Sequence, residues 1–197
     1  MVTAADEEYA DGRPLQLRIV AAATDLTAES GWSSVTMARL AEVVGVSRQT
    51  VYNEVGSKPA LAEAMVLHEL ARFLEAVERS FDAHPDDLVA AIEAAATAVL
   101  TYAQGNRLLH AVVSATHGAD TELLPLLTTH SDSLLAAAKA VIGARLEPFD
   151  LPFTDHQVDA VIDMVVRVVL SHVMEPSAAP AETAADIAWV ASRVLAR

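Results

Sequence analysis

The stretch Thr36-Met-Ala-Arg-Leu-Ala-Glu-Val-Val-Gly-Val-Ser-Arg-Gln-Thr-Val-Tyr52 leaves the backbone little choice. Thr36 and Ser47 are helix-capping residue types, each just ahead of a helix-compatible run, and Gly45 lies between the runs where a turn needs positive φ. The spacing predicts two short helices, over 36–44 and 47–55, meeting across a tight turn. Small Ala41 permits close contact, and Leu40, Val44, Val46 and Val51 fall on the side where the helices meet. The second helix then turns Ser47, Arg48, Gln49, Thr50, Tyr52 and Asn53 outward, donors and acceptors with no acid before Glu54. A helix that lies in a DNA major groove needs such a face.

A formal charge of −14 opposes contact with phosphate unless positive charge is concentrated locally. It is: residues 1–12 carry −4, residues 13–58 carry +1 and residues 59–197 carry −11, a neutral-to-basic head on an acidic body. Among 197 residues there are 39 Ala, 7 Gly and 8 Pro, so the best helix former dominates and the fold class expected is all-α, with about nine helices and no strand. The chain has no Cys, which excludes disulfides, thiolate metal sites and a cysteine nucleophile and fits a reducing cytoplasm. Its longest charge-free run, the 13 residues Ala94 to Asn106, is short of the roughly 20 a bilayer-spanning helix needs, so no membrane partner is expected. Residues 1–12 hold Asp6, Glu7, Glu8 and Asp11 without the basic-then-apolar pattern of a secretion signal, and are expected to form a disordered acidic arm.

Periodicity and punctuation predict a helix over 13–30 ending at Gly31, the pair just described, and a connecting helix from Ser57 and Pro59 to about Ser80, closed by His84-Pro85. Asp87 opens a helix to about Gln104. Helices follow over 106–116, a short stretch at 123–127, 129–146, 154–174 under the capping box Thr154-x-x-Gln157, and from Pro180 to the end. The domains expected are the arm 1–12, a head 13–58, a connecting helix 59–82 and a body 83–197.

Residues 13–70 resemble the DNA-binding head of the TetR family of bacterial transcriptional regulators. The likeness rests on Ala22, Gly31, Thr36, Leu40, Ala41, Gly45, Val46, Ser47, Thr50, Tyr52 and Lys58 at the family's spacing. Where the family places a Tyr-x-Tyr/His-Phe pattern, this chain has Tyr52-Asn53-Glu54-Val55, a departure that bears on head-to-body packing and one backbone contact. Phosphate positioning is expected from Thr36, Thr50, Tyr52 and Lys58, with Ser47 at the start of the recognition helix. Base reading is expected from Arg48 on guanine and Gln49 on adenine, with Asn53 a further candidate. The run from Ser47 to Lys58 is similar to that of actinobacterial members associated with lipid or alkane metabolism.

In the body, apolar residues spread over about 160° of helix 154–174, counted at ~100° per residue, wider than one core requires. Trp189 stands nearly opposite the side of the last helix on which Ala184, Ile187, Val190, Ala191, Val194 and Leu195 are expected to be buried. The resemblance implies a two-fold bundle of these helices, so the homodimer interface is expected at Val158, Val161, Ile162, Val165, His172, Trp189 and Val190, with a palindromic double-stranded DNA operator as partner. It also implies a pocket whose ligand disfavours the DNA-competent spacing of the heads. Tyr102, His110, Val113, His117 and Met164 are its expected lining, suited to a small hydrophobic, lipid-like effector. His110, Ser114 and His117 share a face with Arg107, and such a face more often meets solvent than lines a pocket.

The seven His form no i, i+4 pair or carboxylate cluster at metal spacing, and there is no nucleophile elbow, phosphate-binding glycine loop or dinucleotide fingerprint. No cofactor, metal or enzymatic role is expected. The function expected is a homodimeric, sequence-specific transcriptional repressor released by its effector. The competing class is a helical small-molecule carrier or a protein-interaction scaffold without DNA binding.

Overall fold

The computed structural model describes residues 14–110 and 131–195, of which 131–134 only as backbone. Those residues form eight α-helices, one 3-10 turn and no strand: α1 Leu15–Ser30, the turn Trp32–Ser34, α2 Met37–Val44, α3 Arg48–Val55, α4 Lys58–Ala83, α5 Leu88–Gly105, α6 Ser131–Leu146, α7 Asp155–Met174 and α8 Pro180–Leu195. Residues 107–110 are also helical. The segments expected at 111–116 and 123–127, with Val113 and His117, lie outside the described residues. The 3-10 turn is an addition to the expected elements. It forms because Gly31, at φ 78°, turns the chain out of α1 and its carbonyl accepts from the Ser34 N–H.

The chain divides into two compact units, Met1–Met65 and Val66–Arg197. In the first, Ile19, Val20, Ala23 and Leu26 of α1 are buried with Trp32, Val35, Leu40, Ala41, Val44, Val51, Val55, Leu61 and Met65. Gly45, at φ 77° and ψ 34°, sits in the left-handed region, and its N–H and that of Val46 both reach the Ala41 carbonyl. An added Cβ would meet nothing within 4 Å there, so the position demands glycine for its dihedral alone. Arg18 Nη2 donates to the Val44 carbonyl at 3.1 Å, satisfying an acceptor that the end of α2 leaves open.

In the second unit the alanines do the packing. Ala91, Ala95, Ala96 and Ala103 on α5 and Ala184 and Ala188 on α8 are all buried, and such small side chains let the two helices approach closely. Val77 and Phe81 of α4 join Ala91, Ala95 and Val99 in one core cluster, flanked by Phe73, Ile142, Leu146, Val169 and Val173. By length and composition α5 could cross a membrane, yet its apolar sides are taken by α4, α7 and α8.

One expectation for the body is corrected. On α8 the buried residues are Thr183, Ala184, Ile187 and Ala188, while Val190 and Val194 are 52% and 41% exposed: α8 seats its alanine side on α5, which rotates both valines outward. On α7 only Ile162 and Val166 are fully buried, and Val165 packs on the cluster of Ala96, Ala184 and Ile187. Ile162 is thus buried within the chain, and Val165 is partly buried against that cluster. The capping box at Thr154 forms as expected, with Gln157 Oε1 accepting from the Thr154 N–H at 2.9 Å.

Candidate nucleic-acid interface

Buried Val51 and Val55 pin α3 to the head and leave the remaining side chains of the helix to solvent. Ser47 caps it, its Oγ accepting from the Thr50 N–H at 3.0 Å and lying 2.8 Å from Thr50 Oγ1. Thr36 caps α2 in the same way through the Arg39 N–H, and Ser57 caps α4 through the Ala60 N–H. Three helices thus begin on hydroxyl caps near one another in sequence, each with the free N–H groups that favour an anion at its start.

On the outer side of α3, Arg48, Gln49, Tyr52 and Asn53 are all exposed and Thr50 is half-buried. They form two couples at helical spacing. Arg48 Nη2 donates to the Tyr52 hydroxyl at 3.4 Å with its guanidinium 5.5 Å from the ring centre, and Gln49 Nε2 donates to Asn53 Oδ1 at 3.0 Å. Lys58, the first residue of α4, holds its ammonium 4.8 Å from the centre of the buried Trp32 ring. The structure therefore brings Ser47, Arg48, Gln49, Thr50, Tyr52 and Asn53 together on one helix, with Thr36 and Lys58 at the starts of its neighbours. Two contributors were not singled out from sequence. These are Arg18, which bonds to the end of α2, and Trp32, whose buried ring carries the Lys58 contact.

Among the described body residues, the Tyr102 hydroxyl donates to Glu69 Oε2 at 2.7 Å, its ring meets Phe73 edge-on at 4.9 Å, and Arg72 stands over it. Burial first, and then the Glu69 bond, push its phenol up to about 12. Asn106, itself buried, donates to the same carboxylate while its Oδ1 accepts from the Leu109 N–H, so Glu69 ties α4 to the end of α5. Met164 is 68% exposed on α7. The described cavity, of about 70 Å³, lies between the ends of α5 and α7 and the start of α8. Of the expected pocket residues it contains His110, and it adds His172, expected at the dimer interface, beside Leu100, Val173 and Thr183.

Val168 and Met164 stand exposed on α7, and Trp189, Val190 and Val194 on α8. The Asp159–Asp163–Arg167 ladder carries its ion pair, with Arg167 Nε 2.7 Å from Asp163, and Lys139 of α6 joins it at 2.8 Å from Asp159 and 3.6 Å from Asp163. Among the described residues no three metal-capable side chains converge.

Residues 19–65 match the family described as bacterial regulatory proteins, tetR family, and residues 87–193 match the bacterial tetracyclin repressor C-terminal domain. The chain is 29% identical over 182 residues to the HTH-type transcriptional regulator AlkX of Mycobacterium tuberculosis, covering 91% of this chain and 85% of the relative. Over 77 residues it is 32% identical to the regulator UidR of Escherichia coli, 37% of this chain and 39% of that one. Its fold is similar to the crystal structure of the TetR family repressor AlkX from Dietzia sp. strain DQ12-45-1b, implicated in biodegradation of n-alkanes: TM-score 0.72, 26% identity, 91% of this chain and 94% of that chain.

Proposed function

The chain belongs to the TetR family of bacterial helix-turn-helix transcriptional regulators, and from that premise we propose that it is a cytoplasmic homodimeric repressor that binds a palindromic operator and is released by a small hydrophobic effector. The observation that carries the DNA part is α3: a hydroxyl-capped helix anchored by Val51 and Val55, presenting Arg48, Gln49, Tyr52 and Asn53 with no acid among them. Arg48 and Gln49 read bases. Thr36, Thr50, Tyr52 and Lys58 hold phosphate, and Ser47 sets the start of the helix.

The homodimer is supported by the apolar side chains that α7 and α8 leave exposed, Met164, Val168, Trp189, Val190 and Val194, more than single scattered residues would give. A two-fold pair would set two copies of α3 about 34 Å apart, on successive major-groove faces. A lipid-like effector is supported by the likeness to a repressor implicated in n-alkane biodegradation. The effector acts by favouring a spacing of the two heads that does not fit the operator.

An electrophoretic shift with the DNA upstream of the protein's own gene, repeated over a salt series, tests the proposal. A regulator gives a specific complex whose log affinity falls linearly and steeply with log salt. A carrier or scaffold gives no complex that survives competitor DNA, and that result would dismiss the proposal.

A further inference from the structure

Gln49 and Asn53 stand one turn apart on α3, directly opposite the side that Val51 and Val55 bury. Gln49 Nε2 donates to Asn53 Oδ1 at 3.0 Å, and among the described residues neither side chain makes another hydrogen bond. With Asn53 Oδ1 as the acceptor, the bond sets which way the Gln49 amide is turned. Its nitrogen faces Asn53, and its oxygen and second N–H are left for whatever approaches α3 from outside. An acceptor oxygen beside an N–H donor complements the major-groove edge of adenine, whose N6 amino group donates to the oxygen while N7 accepts from the N–H. Turned the other way, the amide would set its nitrogen against the wrong atom of that edge. Asn53, for its part, has one lone pair of its oxygen engaged by Gln49 and keeps its amino group free. The neighbouring couple works under a looser constraint, because the Arg48 bond to Tyr52 is longer, at 3.4 Å, and guanidinium is a donor on every edge.

We infer that Asn53 is a positioning residue, which holds the Gln49 amide in the orientation that reads adenine at one position of each half-site, and does not read a base of its own. The inference rests on the proposed reading of DNA by α3 and adds what fixes its specificity at that position.

The test uses duplexes selected by the full-length wild-type protein from a randomised library, and then every single-base variant of the selected sequence. Binding is measured by fluorescence anisotropy for wild type, Gln49→Ala, Asn53→Ala and the double variant. Gln49→Ala is expected to abolish discrimination at one A·T pair. Asn53→Ala is expected to lower discrimination at that same pair by about fivefold or more, and the double variant to discriminate no worse than Gln49→Ala. Asn53→Asp, which keeps the acceptor, is expected to retain the adenine preference while weakening binding to all duplexes through its charge. The inference is overturned if Asn53→Ala changes preference at a different base pair, if it acts equally in the Gln49→Ala background, or if it weakens every duplex alike. If the wild-type protein selects no sequence, or Gln49→Ala alters preference nowhere, the proposed reading by α3 fails first and takes the inference with it.

Discussion

At the residue scale, the proposed function divides the side chains of the head into those that would position and those that would specify. Arg48 is exposed on α3 and can approach a base edge, whereas Lys58 starts α4, where helix N–H groups also favour phosphate. Arg48→Ala is therefore expected to relax sequence preference by ~1–3 kcal/mol at one base pair, while Lys58→Ala weakens all duplexes about equally and lowers the salt slope by about one. Equal losses for Arg48→Ala on cognate and random DNA would contradict its assignment. The buried Thr24 hydroxyl has no hydrogen-bond partner among the described residues. Thr24→Val removes that unmet group at constant shape, so the urea midpoint is expected to stay or rise by up to about 1 kcal/mol in stability, and a clear fall would show that the hydroxyl has a partner. Tyr102 offers a spectroscopic check. Its phenol, raised to about 12 by burial and by Glu69, favours the folded state below its unfolded value of 10.0, and that contribution is lost as the pH rises through the folded value. Glu69→Gln is expected to bring the phenol's ultraviolet titration down part of the way, since burial remains.

At the element scale, the caps were legible in the sequence and the long-range ties were not. Thr36, Ser47, Asp87 and Thr154 bond N–H groups three residues on, so their roles follow from local spacing. Glu69 meets Tyr102 and Asn106 across 33 and 37 residues, and Lys139 meets Asp159 across 20, distances over which no sequence period reports. The rotation of α8 escaped for a similar reason: valine and alanine both fit an apolar stripe, and the demand of α5 for small partners decided which side went inward. The turn between α2 and α3 is the most exacting local element. Gly45→Ala, with no clash but a left-handed backbone, is expected to cost about 1–2 kcal/mol in denaturant unfolding and to weaken DNA binding. An unchanged midpoint would mean the turn can relax. The Asp163 carboxylate is held below its ordinary range by its bond from Arg167, with further help from Lys139, so its contribution is present above the ordinary aspartate value and lost as pH falls through the lowered one. Lys139→Met is expected to flatten the loss of stability on acidification, as read by urea melts in acid.

At the scale of the whole molecule, residues 59–197 carry −11 and repel DNA, so the proposed complex would depend on two heads of a dimer acting together. Met164→Glu places a charge on an exposed apolar side chain of α7 without touching the core. It is expected to convert a dimer to a 20.8 kDa monomer in sedimentation and to weaken operator binding by about a hundredfold or more. A wild-type protein that sediments as a monomer at the same concentration would remove the two-fold account.

Methylation interference with dimethyl sulfate, which marks guanine N7 in the major groove, tests the central claim most directly. The account predicts interfering guanines in two clusters centred about 10 base pairs apart on one face of the duplex, each lost in Arg48→Ala. A single cluster, or binding indifferent to major-groove methylation, would contradict it.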